Sequence, residues 1–357
     1  MSKPIKKLLS KYESSEEDTE ELEPTRSSLK PIKELSSKKF KLDLKDRKLL
    51  TLLDENSRYS NSQLAHKVNL SKPAVEYRLQ RFKKNNVIFS YYTIIDFTKL
   101  GFSQYKLYFK FQNTSLEDEQ KIIDYWKKDS NSGWVAELRG HWDLAVSILA
   151  KNNYEFGKIL SRFMEKFSKF ILQKDVLLTE YSPFYSRAHL AETTKKEFSY
   201  GAPSETVELD TTDRKILKQI SNNARISIVE LAEKTGLSRD TVMYRMKKLT
   251  SQEIIAQYKC YLNLENLNIK HYKVIFRMKN FSPLEEQKIK EYAAKHRQST
   301  QLLKLIGSYD LEIEFETQSE DELYSILNEI KQKFSSIIRD LDIIRITKTH
   351  KLDFFPF

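Results

Sequence analysis

The 357-residue sequence predicts an α+β fold built as a tandem, with three helices and a strand leading into a β-α-β-β-α-β unit in each of two copies. Three observations predict it. The first is a repeat at a constant spacing of 167 residues. Asp46-Arg47-Lys48 returns as Asp213-Arg214-Lys215, Leu70-Ser71 as Leu237-Ser238, and Gly140-x-x-Asp143 as Gly307-x-x-Asp310. The register holds from Asp43/Asp210 to Phe167/Phe334, so whole modules are duplicated, not short solenoid units. The second is a change of apolar period inside each copy, from helical spacing to strand alternation. The third is the placement of charge. Residues 42–90 carry ten Lys/Arg against five Asp/Glu, and 209–257 carry nine against six, so +8 of the net +11 sits at equivalent places in the repeats. Charge concentrated in this way points to an anionic partner, nucleic acid ahead of membrane.

Residues 1–40 mix Ser, Lys and Glu around an acidic cluster (Glu16, Glu17, Asp18, Glu20, Glu21, Glu23) and read as a disordered charged tail. A winged helix-turn-helix is expected over 41–98. Asp43 or Lys45 opens its first helix, and Leu49, Leu50, Leu52 and Leu53 give that helix an apolar face. Asn61 or Ser62 caps a second helix carrying Leu64, Ala65 and Val68. Asn69-Leu70 turns the chain, with Gly236-Leu237 in the other copy, and Ser71 and Ser238 cap a third helix that tolerates Pro73 in its first turn. Val87–Asp96 and Ile254–Asn263 alternate as the strands of a wing.

A ferredoxin-like domain follows over 99–185. Its strands are Gln104–Phe111, Trp134–Leu138, Leu144–Leu149 and Phe170–Glu180, and its helices Leu116 to about Lys128 and Tyr154–Phe167. After a Ser-, Thr-, Lys- and Pro-containing linker at 186–206, the second helix-turn-helix spans 207–265 and the second ferredoxin-like domain 266–357. In that domain the order is His271–Met278, Pro283–His296, Gln301–Leu305, Leu311–Glu316, Glu320–Phe334 and Ile338–Thr347.

Composition excludes several classes. A single cysteine, Cys260, rules out an internal disulfide framework. No run approaches the ~18 apolar residues of a membrane span, and Met1-Ser2-Lys3-Pro4 opens no apolar signal core, so a cytoplasmic protein without membrane contact is expected. Six histidines, with no Gly-rich phosphate loop, metal-ligand spacing or nucleophile elbow, predict no enzyme, no cofactor and no metal site.

The third helix of each module carries the chemistry expected to meet double-stranded DNA. Taking Val75 as the core direction at about 100° per residue, Leu79 and Phe82 share its face, as do Val242, Met246 and Leu249 in the second copy. Tyr77/Tyr244 and Gln80/Lys247 then face outward to read base edges, with Lys84 beside them. Lys72, Arg81, Arg239 and Lys248 complete the basic surface. Arg78 and Arg245 lie on the flank, where they grip phosphate or pair with Asp46 and Asp213.

The string Leu-Asp-x-x-Asp-Arg-Lys-Ile/Leu-Leu, then Leu-Ala-x-x-x-x-Leu-Ser-x-x-x-Val-x-Tyr-Arg, resembles the leucine-responsive and asparagine-synthetase regulator (Lrp/AsnC, feast/famine) family. So does the following β-α-β-β-α-β unit with Gly-x-x-Asp between its middle strands. The resemblance covers about 42–182 and 209–349, and the tandem departs from the family's usual single copy. It implies a DNA-binding transcription regulator whose ferredoxin-like domains pair sheet to sheet. Here that means an intramolecular pseudo-dimer, open to further homo-oligomerisation. It also implies an amino-acid effector near Gly140 and Asp143, and near Gly307 and Asp310. His141-Trp142 and Ser308-Tyr309 fill the two turns differently, and a turn without a ligand is the alternative. Two other functions stay open: a ligand-free architectural DNA-binding protein, and an enzyme like the sirohaem decarboxylases, which resemble the same fold as fused pairs.

Overall fold

The computed structural model describes residues 39–191, 193–201, 205–279 and 281–357. The charged tail expected over 1–40 therefore lies, but for its last two residues, outside the described residues.

Three helices begin each copy because three caps begin them. Asp43 accepts from Asp46 N to start α1 (Leu44–Glu55), and Asp46 caps back. α2 (Asn61–Val68) is capped by Ser60, earlier than the Asn61 or Ser62 expected. Gln63 lies three residues beyond Ser60 and can return its bond, which completes a capping box. Asn69 takes a left-handed φ of 54°, and Ser71 caps α3 (Lys72–Lys84). β1 (Ile88–Ile95), β2 (Ser103–Phe111), α4 (Leu116–Lys128), β3 (Ser132–Arg139), β4 (Leu144–Ala150), α5 (Asn153–Phe167), β5 (Ile171–Tyr185) and β6 (Glu197–Tyr200) follow. The second copy runs α6 (Thr211–Ser221), α7 (Ile228–Thr235), α8 (Arg239–Ser251), β7 (Ile255–Leu262), β8 (Lys270–Met278), α9 (Pro283–Lys295), β9 (Ser299–Ile306), β10 (Leu311–Thr317), α10 (Glu320–Phe334) and β11 (Ile338–Leu352).

The strands expected as two separate wings pair with each other instead. β1 and β7 form an antiparallel ribbon in which Tyr92 stands opposite Lys259, its own counterpart in the repeat. A pseudo-two-fold axis therefore passes through that pair. Each strand also packs on the helices of the other copy. Cys260, Leu262 and Ile269 join the core of Leu49, Leu53, Leu64, Val75 and Phe82. Ile95 joins that of Ile216, Ile220, Leu231, Val242 and Leu249. Neither helical core is complete without a residue from the other copy.

The loops after α1 and α6 repeat the exchange in hydrogen bonds. Arg58 Nη1 donates to Ala224 O (2.7 Å) and Ile226 O (3.2 Å), while Arg225 Nη1 donates to Ser57 O (2.5 Å) and Tyr59 O (3.1 Å). Arg58 lies over the Tyr258 ring and Arg225 over Tyr91, again at equivalent positions.

The ferredoxin-like units join edge to edge. Strand order β2-β4-β3-β11-β8-β10-β9-β5, with β5 returning to β2, closes an eight-stranded ring, and β6 lies beside β5. The joins are again equivalent, since Leu138 faces Ile346 and Leu305 faces Thr179. Closure explains why β5 and β11 run to Tyr185 and Leu352, past the Glu180 and Thr347 expected. Their first halves pair within their own copy, and their second halves pair with the other. Alternation sorts side chains across the ring. Tyr105, Leu107 and Phe109 of β2 face α4 and α5 through Ile122, Trp126 and Phe163. Tyr108, Ala136, Leu138, Ala145, Leu303 and Ile344 meet between the copies.

The segment read as a linker is packed over its first residues, 186–191. Leu190 enters the first helical core, and Lys195 Nζ donates to Ala293 O (2.7 Å) and His296 O (2.6 Å) at the end of α9. Phe355, three residues after β11, enters the second helical core, so both copies tie their helix-turn-helix to the ring. Among the described residues no helix is long and apolar enough to cross a membrane.

Removing Arg58 should strand two carbonyls of the opposite loop. Arg58→Ala is expected to cost about 1–3 kcal/mol in urea denaturation, with a similar loss for Arg225→Ala.

Candidate nucleic-acid interface

α2 with α3, and α7 with α8, make two helix-turn-helix units with the same turn chemistry: Asn69 at φ 54° in one and Gly236 at φ 69° in the other. Val75 and Phe82 are buried under α3, and Val242, Met246 and Leu249 under α8, which fixes the outward face. Tyr77 and Tyr244 stand 65% and 66% exposed, high for an aromatic ring and nearly identical in the two copies. Lys72, Gln80 and Lys84 are exposed on α3, as are Arg239 and Lys247 on α8. Arg81 and Lys248 are half-buried.

The flank arginines take the pairing alternative. Arg78 Nη1 lies 2.7 Å from Asp43 and 2.5 Å from Asp46, and Arg81 also reaches Asp46. Arg245 Nη1 lies 2.5 Å from Asp210 and 3.3 Å from Asp213. The bond to Asp43 raises the Arg78 guanidinium above its ordinary value, and the bond to Asp210 does the same for Arg245. These residues brace α3 and α8 against the first helix of each module. Lys248 replaces Arg81 in the second copy, and a point-charge ammonium cannot reproduce a guanidinium fork.

The Gly-x-x-Asp turns lie where the copies touch. Asp143 accepts from Phe111 N (2.8 Å) and Lys110 Nζ (2.9 Å), and Asp310 from Met278 N (2.6 Å), so each carboxylate ties its turn to the neighbouring strand. Trp142 and Tyr309 are buried, while His141 and Ser308 are exposed. Gly140 and Gly307 have φ of 135° and 150° and press on the opposite copy. A Cβ on Gly140 would lie 2.8 Å from Ile343 O, and one on Gly307 would lie 2.6 Å from Leu177 Cδ2. A cleft of about 660 Å³ opens elsewhere, between α9 and α10, lined by Tyr292, His296, Glu329 and Lys333 among others.

Sequence reasoning missed a buried ionic junction between the first helix-turn-helix and the ring. Arg187 Nε donates to Glu316 (2.9 Å) and its Nη1 to Asp54 of α1. Lys259 of the ribbon also reaches Asp54 (3.1 Å), and His189 Nε2 lies 3.1 Å from Glu316. Burial pushes the Glu316 carboxyl up, yet Arg187 and His189 hold it far below the usual range. The equivalent positions on the other side of the axis are Ser221, Tyr92, Leu149 and Phe354, where Tyr92 and Phe354 stack at 5.8 Å. The available signal was Glu312-x-Glu314-x-Glu316 at alternate positions of a strand expected to be buried.

A winged helix-turn-helix DNA-binding profile matches residues 42–88 and 209–256, the two units just described. An uncharacterized HTH-type transcriptional regulator of Pyrococcus furiosus is 30% identical over 122 residues, 81% of its length and 34% of this chain. The leucine-responsive regulatory protein of Rhizobium meliloti is 35% identical over 89 residues, 56% of its length and 25% of this chain. The chain belongs to the Lrp/AsnC family of transcription regulators. Unlike relatives matched over about a third of its length, this Lrp/AsnC chain carries the module twice. The solved siroheme decarboxylase NirDL matches 87% of the chain and 94% of its own, with a TM-score of 0.57 at 10% identity. That likeness is one of fold, and it extends across both copies of the Lrp/AsnC tandem.

Alanine at Gly140 meets backbone that cannot rotate away. Gly140→Ala should lower stability by about 1–3 kcal/mol in urea denaturation, and more than Gly307→Ala, where the Leu177 side chain can yield.

Proposed function

We propose that the chain is a sequence-specific DNA-binding transcription regulator that acts as a covalent pseudo-dimer, without a catalytic step. One observation carries this reading. Two reading helices related by the Tyr92–Lys259 axis present the same exposed tyrosine beside exposed cations. Tyr77 and Tyr244, with Gln80 and Lys247, meet base edges. Lys72, Lys84, Arg239 and Lys248 meet phosphates, and Arg78, Arg81 and Arg245 set the helix angle while lending their outer N–H groups to the backbone. Within the family, relatives are DNA-binding regulators, and a cytoplasmic location belongs to the same reading.

The two heads should prefer unlike half-sites, because Pro73, Glu76 and Gln80 become Asp240, Met243 and Lys247. An amino-acid effector at the Gly140–Asp143 and Gly307–Asp310 turns is the regulatory part of the proposal. Its ammonium group would use carboxylate lone pairs left free by Phe111 N and Lys110 Nζ at Asp143, and by Met278 N at Asp310. The ligand-free architectural reading shares the helices and predicts no sequence consensus. The fold shared with NirDL brings no activity with it.

Selection from random DNA should return an asymmetric site with two unlike halves, and recovery of clean palindromes would overturn the two-head reading. On that site, affinity should fall roughly a thousandfold between about 50 and 200 mM salt if about six phosphates are contacted. Lys84→Ala should weaken all sequences alike. Lys247→Ala should cost about 1–3 kcal/mol at one half-site and relax its preference.

A further inference from the structure

The inner face of the ring carries charges that match only one way. Lys106 of β2 and Lys273 of β8 are equivalent residues of the two copies, and both are buried. Their acids are not equivalent. Glu312 and Glu314 both come from β10, and at the matching positions of β4 the chain has Ala145 and Ser147. Lys106 Nζ donates across the copies to Glu312 (2.7 Å), as does Tyr108 OH (2.6 Å), and Lys273 donates to Glu312 and Glu314. His271 Nε2 lies 2.8 Å from Glu314. Burial holds Lys106 below the ordinary lysine value despite Glu312 beside it. Burial raises the Glu314 carboxyl, but Lys273 and His271 hold it well below its usual range. The four charges of Lys106, Lys273, Glu312 and Glu314 cancel.

We propose that this face is a selectivity surface, with the opposite half of the same kind of chain as its partner, and that its charge pattern excludes pairing of like halves. The inference goes beyond the DNA-binding reading and does not depend on it. Two first copies brought together along the same axis would bury two lysines beside Ala145 and Ser147, with no carboxylate. Two second copies would bury four glutamates against two lysines. An uncompensated buried charge is strongly destabilising, so neither like pair closes the ring. The junction nearer the ribbon is also unlike on its two sides, although each copy supplies it with one acid and one base. Asp54, Arg187, Lys259 and Glu316 neutralise one another on one side, while Ser221, Phe354, Tyr92 and Leu149 fill the other without charge.

Point variants of the full chain can impose each like pair's charge. Glu312→Gln with Glu314→Gln keeps the volume and leaves the lysines unmatched, as in a pair of first copies. Ala145→Glu with Ser147→Glu adds the acids of a pair of second copies. Transplanting the acids (Ala145→Glu, Ser147→Glu, Glu312→Ala, Glu314→Ser) moves them to the symmetry-related site, beside the same two lysines.

Thermal unfolding is followed from pH 4 to 10. Each double variant should lose on the order of 10 °C in Tm at neutral pH, and the transplant should recover most of that loss. The pH slopes separate charge from packing. Unmatched lysines titrate lower in the folded chain than in the unfolded, so the glutamine variant gains stability as pH rises from about 7 to about 10. Surplus carboxylates titrate higher when folded, so the added-acid variant gains stability as pH falls from about 7 toward about 4. The facing groups Tyr108, His271, Arg187, His189, Glu316, Asp54 and Lys259 are common to all variants and cancel in the comparison. If a double variant is unfolded at neutral pH, its recovery at the favourable end of the range reads the same slope. A transplant no more stable than the added-acid variant, or double variants sharing one pH slope, would overturn the proposal.

Discussion

Everything in this molecule rests on the antiparallel meeting of β1 and β7 at Tyr92 and Lys259. Because those two residues are counterparts in the repeat, the ribbon sets a two-fold relation that the rest of the chain obeys. Cys260 and Leu262 can close the first helical core, and Ile95 the second, only in that register. The arginine exchange of Arg58 and Arg225 and the two joins of the ring follow the same axis. A one-residue slip would turn the apolar face of each strand away from the helices it completes. Each helix-turn-helix is therefore oriented by the copy it does not belong to.

Covalent fusion changes what such a pairing can evolve. In a symmetric dimer every substitution appears on both sides of the axis. In a tandem, Asp54 can be an acid while Ser221 is not, and Glu312 can face Lys106 while Ala145 lies at the related site. One side of the axis is built on ions and the other on stacked rings, Tyr92 against Phe354. The same freedom reaches the outward face of α3 and α8, where the tyrosine is kept and Glu76 and Gln80 become Met243 and Lys247. Linking the copies also makes their association intramolecular, so a specific but modest interface closes readily.

Much of the fold was legible from residues alone. The caps Asp43, Ser71 and Ser238 mark real helix starts, and the outward face set by Val75 and Val242 does carry Tyr77 and Tyr244. The partner of a strand was not legible. Alternation in Ile88–Ile95 says that one face is buried, not which chain segment buries it, so a wing was expected where a ribbon forms. Arg78 and Arg245 look alike as phosphate ligands or as struts until Asp43 and Asp210 come within reach, and those acids lie 35 residues away in sequence. At the Gly-x-x-Asp turns sequence shows the carboxylate but not the backbone N–H of Phe111 or Met278 that it accepts. The ionic ladder on β10 could have been flagged, since three acids on one face of a buried strand require partners.

The central claim is that one chain brings both reading heads to one DNA site. Native mass spectrometry of the full chain on its selected duplex tests this most directly. A stoichiometry of one chain per two-half-site duplex, falling to free DNA without an intermediate as salt rises, is what the account predicts. Two chains per duplex, each remaining bound when one half-site is scrambled, would contradict it.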